Sequence, residues 1–383
     1  MHDIPPGEAA PGTNAGTTST LAMVPNKDLT GHKLLIISHH TIAPALLDRL
    51  QARFPGLKIV RSAVDPFTYL TEPLPNVTAE DWESITVVLT GPRLPAMGQA
   101  PKLQLVQLIL AGANAVIKNP LFTETQIPFC TANGVASSPI AEWVICTYLA
   151  YQHGIPKYLE DMRDSKWGSS YSLDAPDAVG QRVGILGYGS IGRQIARVAT
   201  ALGMEVYAYT NSPRPTPESR RNYSYHTPGL GDPDGRLPSK WFSGTSEAAI
   251  NEFLTSGLDL LVVAVPLTPQ THGILGAAQF KLLANKKTYV SNIGRGPTIV
   301  TDDLVTALDE GWIGGAALDV TDPEPLPKEH PLWTKKNVII TPHVSGNTLS
   351  YYDRLLAILE INLEKLSEGK TDFINQVSRA KGY

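Results

Sequence analysis

Short apolar runs alternate with longer amphipathic stretches along the chain from Lys33 onward. Apolar runs of about four to eight residues that end at Gly or Pro are typical of strands buried on both faces in a parallel sheet. The pattern predicts strands at 33–37, 58–60, 85–90, 105–110, 183–186, 205–210, 258–265, 288–292, 315–320 and 338–341. It predicts helices at 43–54, 137–152, 191–199 and 349–369. The fold class is therefore α/β with doubly wound parallel sheets.

The 383 residues are enough for two domains, each with its own core. We expect the first at 31–136, followed by a second domain whose opening helix begins with Ser137 as a possible cap. Residues 1–30 are rich in Gly, Pro, Ala and Thr, which predicts a mobile tail. Residues 163–181 are predicted to form an irregular linker, and the long polar segment 211–245 is predicted to be an insertion.

Charge and cysteine content limit the possible partners. A net charge of −4 gives no electrostatic reason to expect a nucleic acid or an anionic membrane as partner. The apolar run at 258–267 is too short to span a bilayer, and neither chain end matches a targeting signal, so we expect a cytosolic protein. Cys130 and Cys146 lie in apolar surroundings without metal-ligand spacing. We expect both to be reduced core residues, and we expect no metal site.

A glycine motif lies within one predicted strand–helix–strand unit. Gly187, Gly189 and Gly192 form the pattern G-x-G-x-x-G between the strand at 183–186 and the following helix. In such a turn the first glycine permits the tight bend, the second lets the backbone approach a pyrophosphate, and the third lets helix and strand pack closely. The helix N-terminus also offers N–H groups to phosphate oxygens. The motif therefore predicts dinucleotide binding.

Three ionisable residues, Arg295, Glu324 and His343, follow predicted strands in the same half of the chain. Because the carboxyl ends of parallel strands face one crevice, we expect these side chains to lie together near the glycine turn. An arginine can hold a carboxylate through two parallel N–H bonds, and a histidine can give or take a proton near neutral pH. Each residue alone could be a surface or structural residue. Together with a nicotinamide, the three suit oxidoreduction of a 2-hydroxy or 2-oxo acid.

Five motifs in this order resemble those of the D-isomer-specific 2-hydroxyacid dehydrogenases, in particular the glyoxylate and hydroxypyruvate reductases, with a fungal-type member possible. The motifs are GYGSIG at 187–192, VPLTPQT at 265–271, NIGRG at 292–296, ALDV at 317–320 with PEP at 323–325, and TPH at 341–343. The resemblance covers residues 33–366. It implies two Rossmann-like domains with the cofactor cleft between them, and it assigns 347–383 to the substrate domain and 137–346 to the dinucleotide-binding domain. It also implies a homodimer formed through the cofactor domain.

The resemblance further implies a role for each matching residue. Arg295 would bind and polarise the 2-oxo acid, His343 would donate the proton in reduction and accept it in oxidation, and Glu324 would pair with His343. The other implied contacts are Ser190 and Ile191 to the pyrophosphate; Val265, Pro266 and Thr271 to the ribose; Ile293, Gly294 and Asp319 to the nicotinamide; and backbone around Gly91, Gly112 and Ala113 to the substrate carboxylate.

The end of the second strand departs from the NAD-binding pattern of this family, which places an acidic residue there to bond the adenosine ribose. The residues expected to contact the adenosine end are Thr210, Asn211, Ser212 and Arg214. Without a carboxylate nothing repels a 2′-phosphate, and Arg214 could pair with it, as could Arg220 and Arg221. We hypothesise that NADP(H) is favoured over NAD(H). The alternative is that these arginines are solvated loop charges.

Two other functions stay open on the sequence alone. Residues 343–348 faintly resemble formate dehydrogenases, although those enzymes carry an amide where this chain has Glu324. The family also includes a transcriptional co-repressor that uses the fold as a dinucleotide-sensing dimer. In a protein of that kind, the segment 211–245 could be a partner surface.

Overall fold

The computed structural model describes residues 25–65, 70, 72–168, 175–380 and 382. Its strands are β1 (Lys33–Ser38), β2 (Lys58–Ala63), β3 (Val87–Thr90), β4 (Leu105–Leu108), β5 (Phe129–Cys130), β6 (Arg182–Leu186), β7 (Glu205–Thr210), β8 (Lys240–Ser243), β9 (Leu260–Val263), β10 (Tyr289–Asn292), β11 (Gly315–Leu318) and β12 (Val338–Ile340). Its α-helices are α1 (Pro44–Arg53), α2 (Ala79–Ser84), α3 (Pro120–Thr123), α4 (Ser137–Gln152), α5 (Ile155–Arg163), α6 (Ser190–Ala201), α7 (Pro217–Arg220), α8 (Glu247–Leu254), α9 (Ala277–Leu282), α10 (Thr301–Asp309) and α11 (Tyr351–Ser367). Short 3₁₀ helices lie at Gly296–Thr298 and Pro331–Thr334.

The first five strands form a parallel sheet in the order β2-β1-β3-β4-β5. β3 and β4 are buried along their whole length, which explains their continuous apolar character. The strand order reverses between β1 and β3, and ligands of open α/β sheets bind in the crevice at such a reversal. The carboxyl ends of β1 and β3 therefore form one candidate ligand-binding edge.

The last helix packs with this smaller sheet. The fully buried Asn362 of α11 donates to the side chain of Gln107 on β4 at 3.0 Å and accepts from the backbone N–H of Ile374 at 2.8 Å. On the outer side, Arg49 of α1 bonds Asp353 of α11 at 2.8 Å. The C-terminal part of the chain thus completes the layer that covers the N-terminal sheet.

The larger sheet is also parallel, in the order β12-β11-β10-β9-β6-β7-β8. Its order reverses between β6 and β9, so the glycine turn after β6 lies at the reversal point. Helix α4 packs against α6 on one face of this sheet, and the Tyr148 hydroxyl at its buried side donates to Gln181 at 2.6 Å. Two parallel sheets with helices confirm the predicted α/β class, and the domain boundaries given above stay a prediction.

The predicted insertion at 211–245 is too long, because 240–243 form β8, which pairs with β7 at the edge of the larger sheet. The preceding residues are the crossover between β7 and β8. The buried guanidinium of Arg193 on α6 donates to the carbonyls of Asp232 and Arg220, and the Tyr188 hydroxyl donates to Asp232 at 2.7 Å. These bonds hold the crossover against the glycine-turn helix.

Smaller expectations also need correction. Cys130 is buried as predicted, whereas Cys146 is exposed on the outer face of α4. No side chain caps the start of α4, so the predicted serine cap is not formed. The predicted tail lies mostly at 1–24, outside the described residues, but Leu29 is fully buried and the Asn26 N–H donates to Ser367 at 2.6 Å. The tail prediction is therefore too long. The predicted linker also includes residues 169–174, which lie outside the described part.

Helix length and polarity decide whether a helix could span a membrane. Over the described part of the chain, no helix is both long enough and apolar enough to cross a membrane.

Candidate functional site

In the glycine turn between β6 and α6, two of the three glycines pack against backbone and the third faces open space. Gly187 has a φ of 109°, and a side chain there would come within 2.7 Å of the Ala264 carbonyl oxygen. A Cβ on Gly192 would lie 2.5 Å from the Gly187 carbonyl oxygen, so helix and turn pack backbone to backbone. A Cβ on Gly189 would meet nothing within 4 Å. The backbone at Gly189 is therefore open to a ligand.

The start of α6 has the chemistry of a phosphate site. The helix begins at Ser190 without a side-chain cap, so its first N–H groups point toward the open side of the turn. The Ser190 hydroxyl is buried, and among the described residues none forms a hydrogen bond with it. A buried hydroxyl normally has a partner, and a phosphate oxygen would supply one. These residues, with Ile191 next in the helix, fit the pyrophosphate of a dinucleotide.

The end of β7 carries hydroxyl groups and arginines. The Thr210 hydroxyl donates to the Ser212 carbonyl at 2.8 Å, and the exposed Arg214 donates to the Ser219 carbonyl at 2.6 Å. Arg220 donates through Nε to the Arg214 carbonyl at 2.9 Å and lies over the Trp241 ring. Of the other two predicted residues, Asn211 is exposed in the same turn, whereas Arg221 points toward Asp234 at 3.7 Å. Arg214 is thus the cation placed at the turn itself.

The loop after β9 folds on itself and on the loop after β10. The Thr271 hydroxyl donates to the Pro266 carbonyl at 2.6 Å and accepts from the Thr268 N–H at 2.8 Å. A Cβ on Gly294 would lie 2.8 Å from the Val265 carbonyl oxygen, so the two loops are in backbone contact. The neighbouring Ile293 is buried. This contact places the predicted ribose loop and the predicted nicotinamide loop side by side.

Arg295 reaches from the larger sheet to the smaller one. Its Nη1 donates to the Gly294 carbonyl at 2.7 Å, and a Cβ built on Gly112 would lie 2.9 Å from its Nη2. Burial lowers the pKa of Arg295, and the charge of Glu324 acts in the opposite direction. Since the ordinary arginine pKa is far above neutral, the side chain stays a cation in the crevice. A desolvated guanidinium at this place suits a carboxylate ligand.

His343 and Glu324 form a direct pair. The Nδ1 atom of His343 lies 2.8 Å from Oε1 of Glu324, and the two side chains are 49% and 43% exposed. The carboxylate fixes the ring orientation and leaves Nε2 for another partner. His343 has a φ of 57°, which is uncommon for a residue with a side chain, and its N–H donates to the Asp319 carbonyl at 2.9 Å. The structure therefore brings these two predicted residues together.

Hydrogen bonds to the buried carboxylate of Asp319 hold the loop that carries His343. The Asp319 side chain, only 2% exposed, accepts from the Thr341 hydroxyl at 2.6 Å and from the Val344 N–H at 2.9 Å. It also accepts from both the N–H and the hydroxyl of Ser345. Asp319, which the resemblance places near the nicotinamide, thus has its carboxylate bonded within residues 341–345. We regard it as a positioning residue for His343.

The smaller sheet supplies the opposite side of the crevice. Gly91 follows β3, and a Cβ there would meet nothing within 4 Å. Gly112 follows β4 beside Arg295, whereas the Ala113 side chain is buried in the core, so only its backbone could contact a ligand. The Tyr351 hydroxyl donates to the Ile109 carbonyl at 2.7 Å, which fixes the start of α11 at this edge.

Two histidines at this edge were not among the site residues predicted from the sequence. His39 and His40 directly follow β1, and the Tyr352 hydroxyl lies 2.8 Å from Ser38 Oγ. The rule that selects Arg295 and His343, a polar residue just after a buried strand, would also have selected these histidines. Among the described residues, no three His, Cys, Asp or Glu side chains are placed to hold a metal ion.

Comparisons with known proteins agree with this geometry. A family model described as D-isomer specific 2-hydroxyacid dehydrogenase, NAD binding domain, matches residues 145–229 and 239–345. Glyoxylate reductase from Thermofilum pendens is 27% identical over 82% of this chain and 89% of its own length. Hydroxypyruvate reductase from Blautia hydrogenotrophica is 30% identical over 71% of this chain and 78% of its own length.

Two solved structures share the fold over nearly their whole length. The D-isomer specific 2-hydroxyacid dehydrogenase from Xanthobacter autotrophicus, in complex with NADPH and MES, has a TM-score of 0.70 at 26% identity and covers 92% of this chain and 99% of its own. The NADPH-dependent glyoxylate/hydroxypyruvate reductase from Sinorhizobium meliloti, in complex with NADP and sulfate, has a TM-score of 0.68 at 25% identity with the same coverage.

Replacing Asp319 with Ala should loosen the loop that carries His343. The N–H groups of Val344 and Ser345 would lose their acceptor, so their hydrogen exchange should become at least about tenfold faster. Hydrogen–deuterium exchange with mass spectrometry measures this over 341–346. Asp322→Ala, in the neighbouring loop, is the matched control and should leave the exchange of 341–346 unchanged. Equal exchange in Asp319→Ala and the parent protein would contradict the positioning role.

Proposed function

We propose, from the premise that this chain belongs to the D-isomer specific 2-hydroxyacid dehydrogenases, that it reduces a small 2-oxo acid to the 2-hydroxy acid with NADPH. One observation carries the proposal. Arg295 lies against Gly112 of the smaller sheet, while the His343–Glu324 pair follows strands of the larger sheet at the edge that also bears the glycine turn. A carboxylate-binding cation and an oriented proton donor beside a dinucleotide turn suit this reaction.

The residues divide the chemistry between them. NADPH, when bound, supplies the hydride that reduces the carbonyl carbon. Arg295 binds the carboxylate and polarises the carbonyl, where negative charge develops during the reaction. His343, held through Nδ1 by Glu324, presents a protonated Nε2 and gives its proton to the carbonyl oxygen, which yields the hydroxyl group. In the oxidation direction the neutral Nε2 accepts that proton.

The cofactor contacts are proposals supported by the local geometry. The open backbone at Gly189 and the Ser190 hydroxyl, which has no partner among the described residues, support pyrophosphate binding at this turn. The backbone contact between Val265 and Gly294 supports a ribose and a nicotinamide bound on adjoining loops. Arg214 and the absence of a carboxylate at Thr210–Ser212 support a 2′-phosphate, and the two structural relatives with NADPH or NADP agree with this preference.

The alternative functions are not favoured. The curated relatives reported above are reductases, and Glu324 stands where formate dehydrogenases carry an amide. The co-repressor alternative loses part of its proposed partner surface, because β8 and the Asp232-anchored crossover account for much of 211–245.

A homodimer is proposed through helix α5. Ile155, Tyr158, Leu159 and Met162 are spaced along one face of this helix and are 44–68% exposed. Apolar side chains repeated at this spacing form a stripe that normally packs against another surface. We propose that a second copy of the chain covers it. The cytosolic location expected from the sequence stays a prediction.

His343→Ala should abolish turnover without abolishing dinucleotide binding. Removal of the proton donor should lower kcat for glyoxylate by about 10²- to 10⁴-fold, because that is the usual contribution of a general acid. The rate of NADPH oxidation gives kcat, and fluorescence titration gives the affinity for NADPH. The exposed His272→Ala is the matched control and should keep full activity. Unchanged kcat in His343→Ala would reject the assignment of the proton donor.

Arg214→Ala should lower the preference for NADPH, which carries the 2′-phosphate, over NADH. We expect kcat/KM for NADPH to fall about tenfold or more, while the value for NADH stays within about twofold, since only NADPH carries that phosphate. Arg61→Ala, which removes an exposed arginine from β2 of the other sheet, is the control. Similar losses for both cofactors, or none for either, would show that Arg214 is a solvated loop charge.

Leu159→Glu with Met162→Glu should separate the proposed dimer. Charges on the apolar stripe of α5 would oppose its burial, so sedimentation velocity should shift from the dimer to the monomer. Lys166→Glu, just beyond the helix, controls for the added charge. A parent protein that sediments as a monomer would contradict the proposal, as would a variant that remains fully dimeric.

A further inference from the structure

A polar cluster at the end of β1 has no part in the chemistry proposed above. We name it the distal cluster and define it as His39, His40 and Tyr352. The two imidazole rings have centroids 4.1 Å apart, and the His40 ring lies 5.8 Å from the Tyr352 ring, edge to face. Ser38 ties the cluster together, since its hydroxyl bonds the Tyr352 hydroxyl at 2.8 Å and the His40 backbone at 3.0 Å. These contacts connect the end of β1 to Tyr352 of α11.

The distal cluster lies on the same edge as Arg295. β1 pairs with β3, and β3 pairs with β4; in the loop after β4, a Cβ on Gly112 would lie 2.9 Å from Arg295 Nη2. Two strand spacings separate the ends of β1 and β4, a distance of about 10 Å. Gly91, between them at the end of β3, leaves the backbone open. A substrate bound at Arg295 can therefore extend over Gly91 toward the two histidines.

The two imidazole rings of the distal cluster offer N–H donors to an anionic group. Burial lowers the pKa of His39, and the neighbouring His40 lowers it further, because a positive charge nearby opposes protonation of the His39 ring. An anionic group between them would relieve this repulsion and accept N–H bonds from the rings. The next residue of α11, Asp353, is bonded to Arg49 at 2.8 Å, so its negative charge is compensated.

We propose that the distal cluster binds a second anionic group of the substrate, so that the site accepts 2-oxo dicarboxylic acids. The inference rests on the proposed function, because it needs the 2-oxo end held at Arg295. Because the ends of β1 and β4 lie about 10 Å apart, the second anionic group has to be several carbons away from the 2-oxo group, and a five-carbon acid is used in the test.

The test compares two acids of equal length. 2-Oxoglutarate and 2-oxopentanoate both have five carbons and differ only in a terminal carboxylate or methyl group. With NADPH, we expect kcat/KM of the parent protein to be about tenfold higher for 2-oxoglutarate, as for one charge-assisted hydrogen bond. His40→Phe, which keeps a ring beside Tyr352, should abolish the preference, and His40→Lys, which places an N–H donor with a positive charge there, should retain it. His226→Phe, in the β7–β8 crossover, is the control and should not change the ratio.

The outcomes separate this inference from the proposed function. If glyoxylate is reduced while the ratio of kcat/KM for 2-oxoglutarate to that for 2-oxopentanoate is the same in the parent protein and in His40→Phe, the distal cluster does not bind the carboxylate. In that case the inference is wrong while the proposed function stands. If no 2-oxo acid is reduced, the proposed function fails and the inference fails with it. Should His40→Phe not fold, inhibition of glyoxylate reduction in the parent protein decides. Glutarate should then bind about tenfold more tightly than pentanoate, and equal inhibition would overturn the inference.

Discussion

The geometry of the site depends on the buried carboxylate of Asp319. It follows β11, and its acceptor oxygens take bonds from the segment after β12, the neighbouring edge strand. Hydrogen bonds to a charged group contribute about 1.5–3 kcal/mol each, and a buried carboxylate left without them is costly. Residues 341–345 therefore cannot move without uncovering that charge. These bonds hold the backbone on both sides of His343, which has a left-handed conformation, while Glu324 orients its half-exposed ring.

A second constraint acts between the two sheets. Both present the carboxyl ends of their parallel strands, and Arg295 spans from one edge to the other at Gly112. A side chain at Gly112 would meet the guanidinium, so the Arg295 side chain would have to shift to make room for it. In the proposed reaction the proton donor therefore comes from the larger sheet, and the wall against which the substrate would lie comes from the smaller one. This division agrees with catalytic groups fixed on one sheet and selectivity set by the other.

Sequence patterns predicted the buried centre of the fold better than its edges. Continuous apolar runs such as Leu260–Val263 identify strands buried on both faces, and a polar residue just after a strand identified Arg295 and His343. β8 was missed because only Phe242 of its four residues, KWFS, is buried at this sheet edge, so the strand lacks such a run. Cys146 lies in an apolar segment of sequence yet on the outer face of α4. In both cases tertiary position outweighs local composition.

The role of Asp319 could not be predicted either, because its partners lie 22–26 residues further along and are brought to it only by sheet pairing. A crystal structure of the protein with NADP and oxamate, an unreactive 2-oxo acid analogue, tests the central claim most directly. We predict the oxamate carboxylate on Arg295 and its carbonyl oxygen within about 3 Å of His343 Nε2. Oxamate bound away from His343, or held without Arg295, would contradict the account.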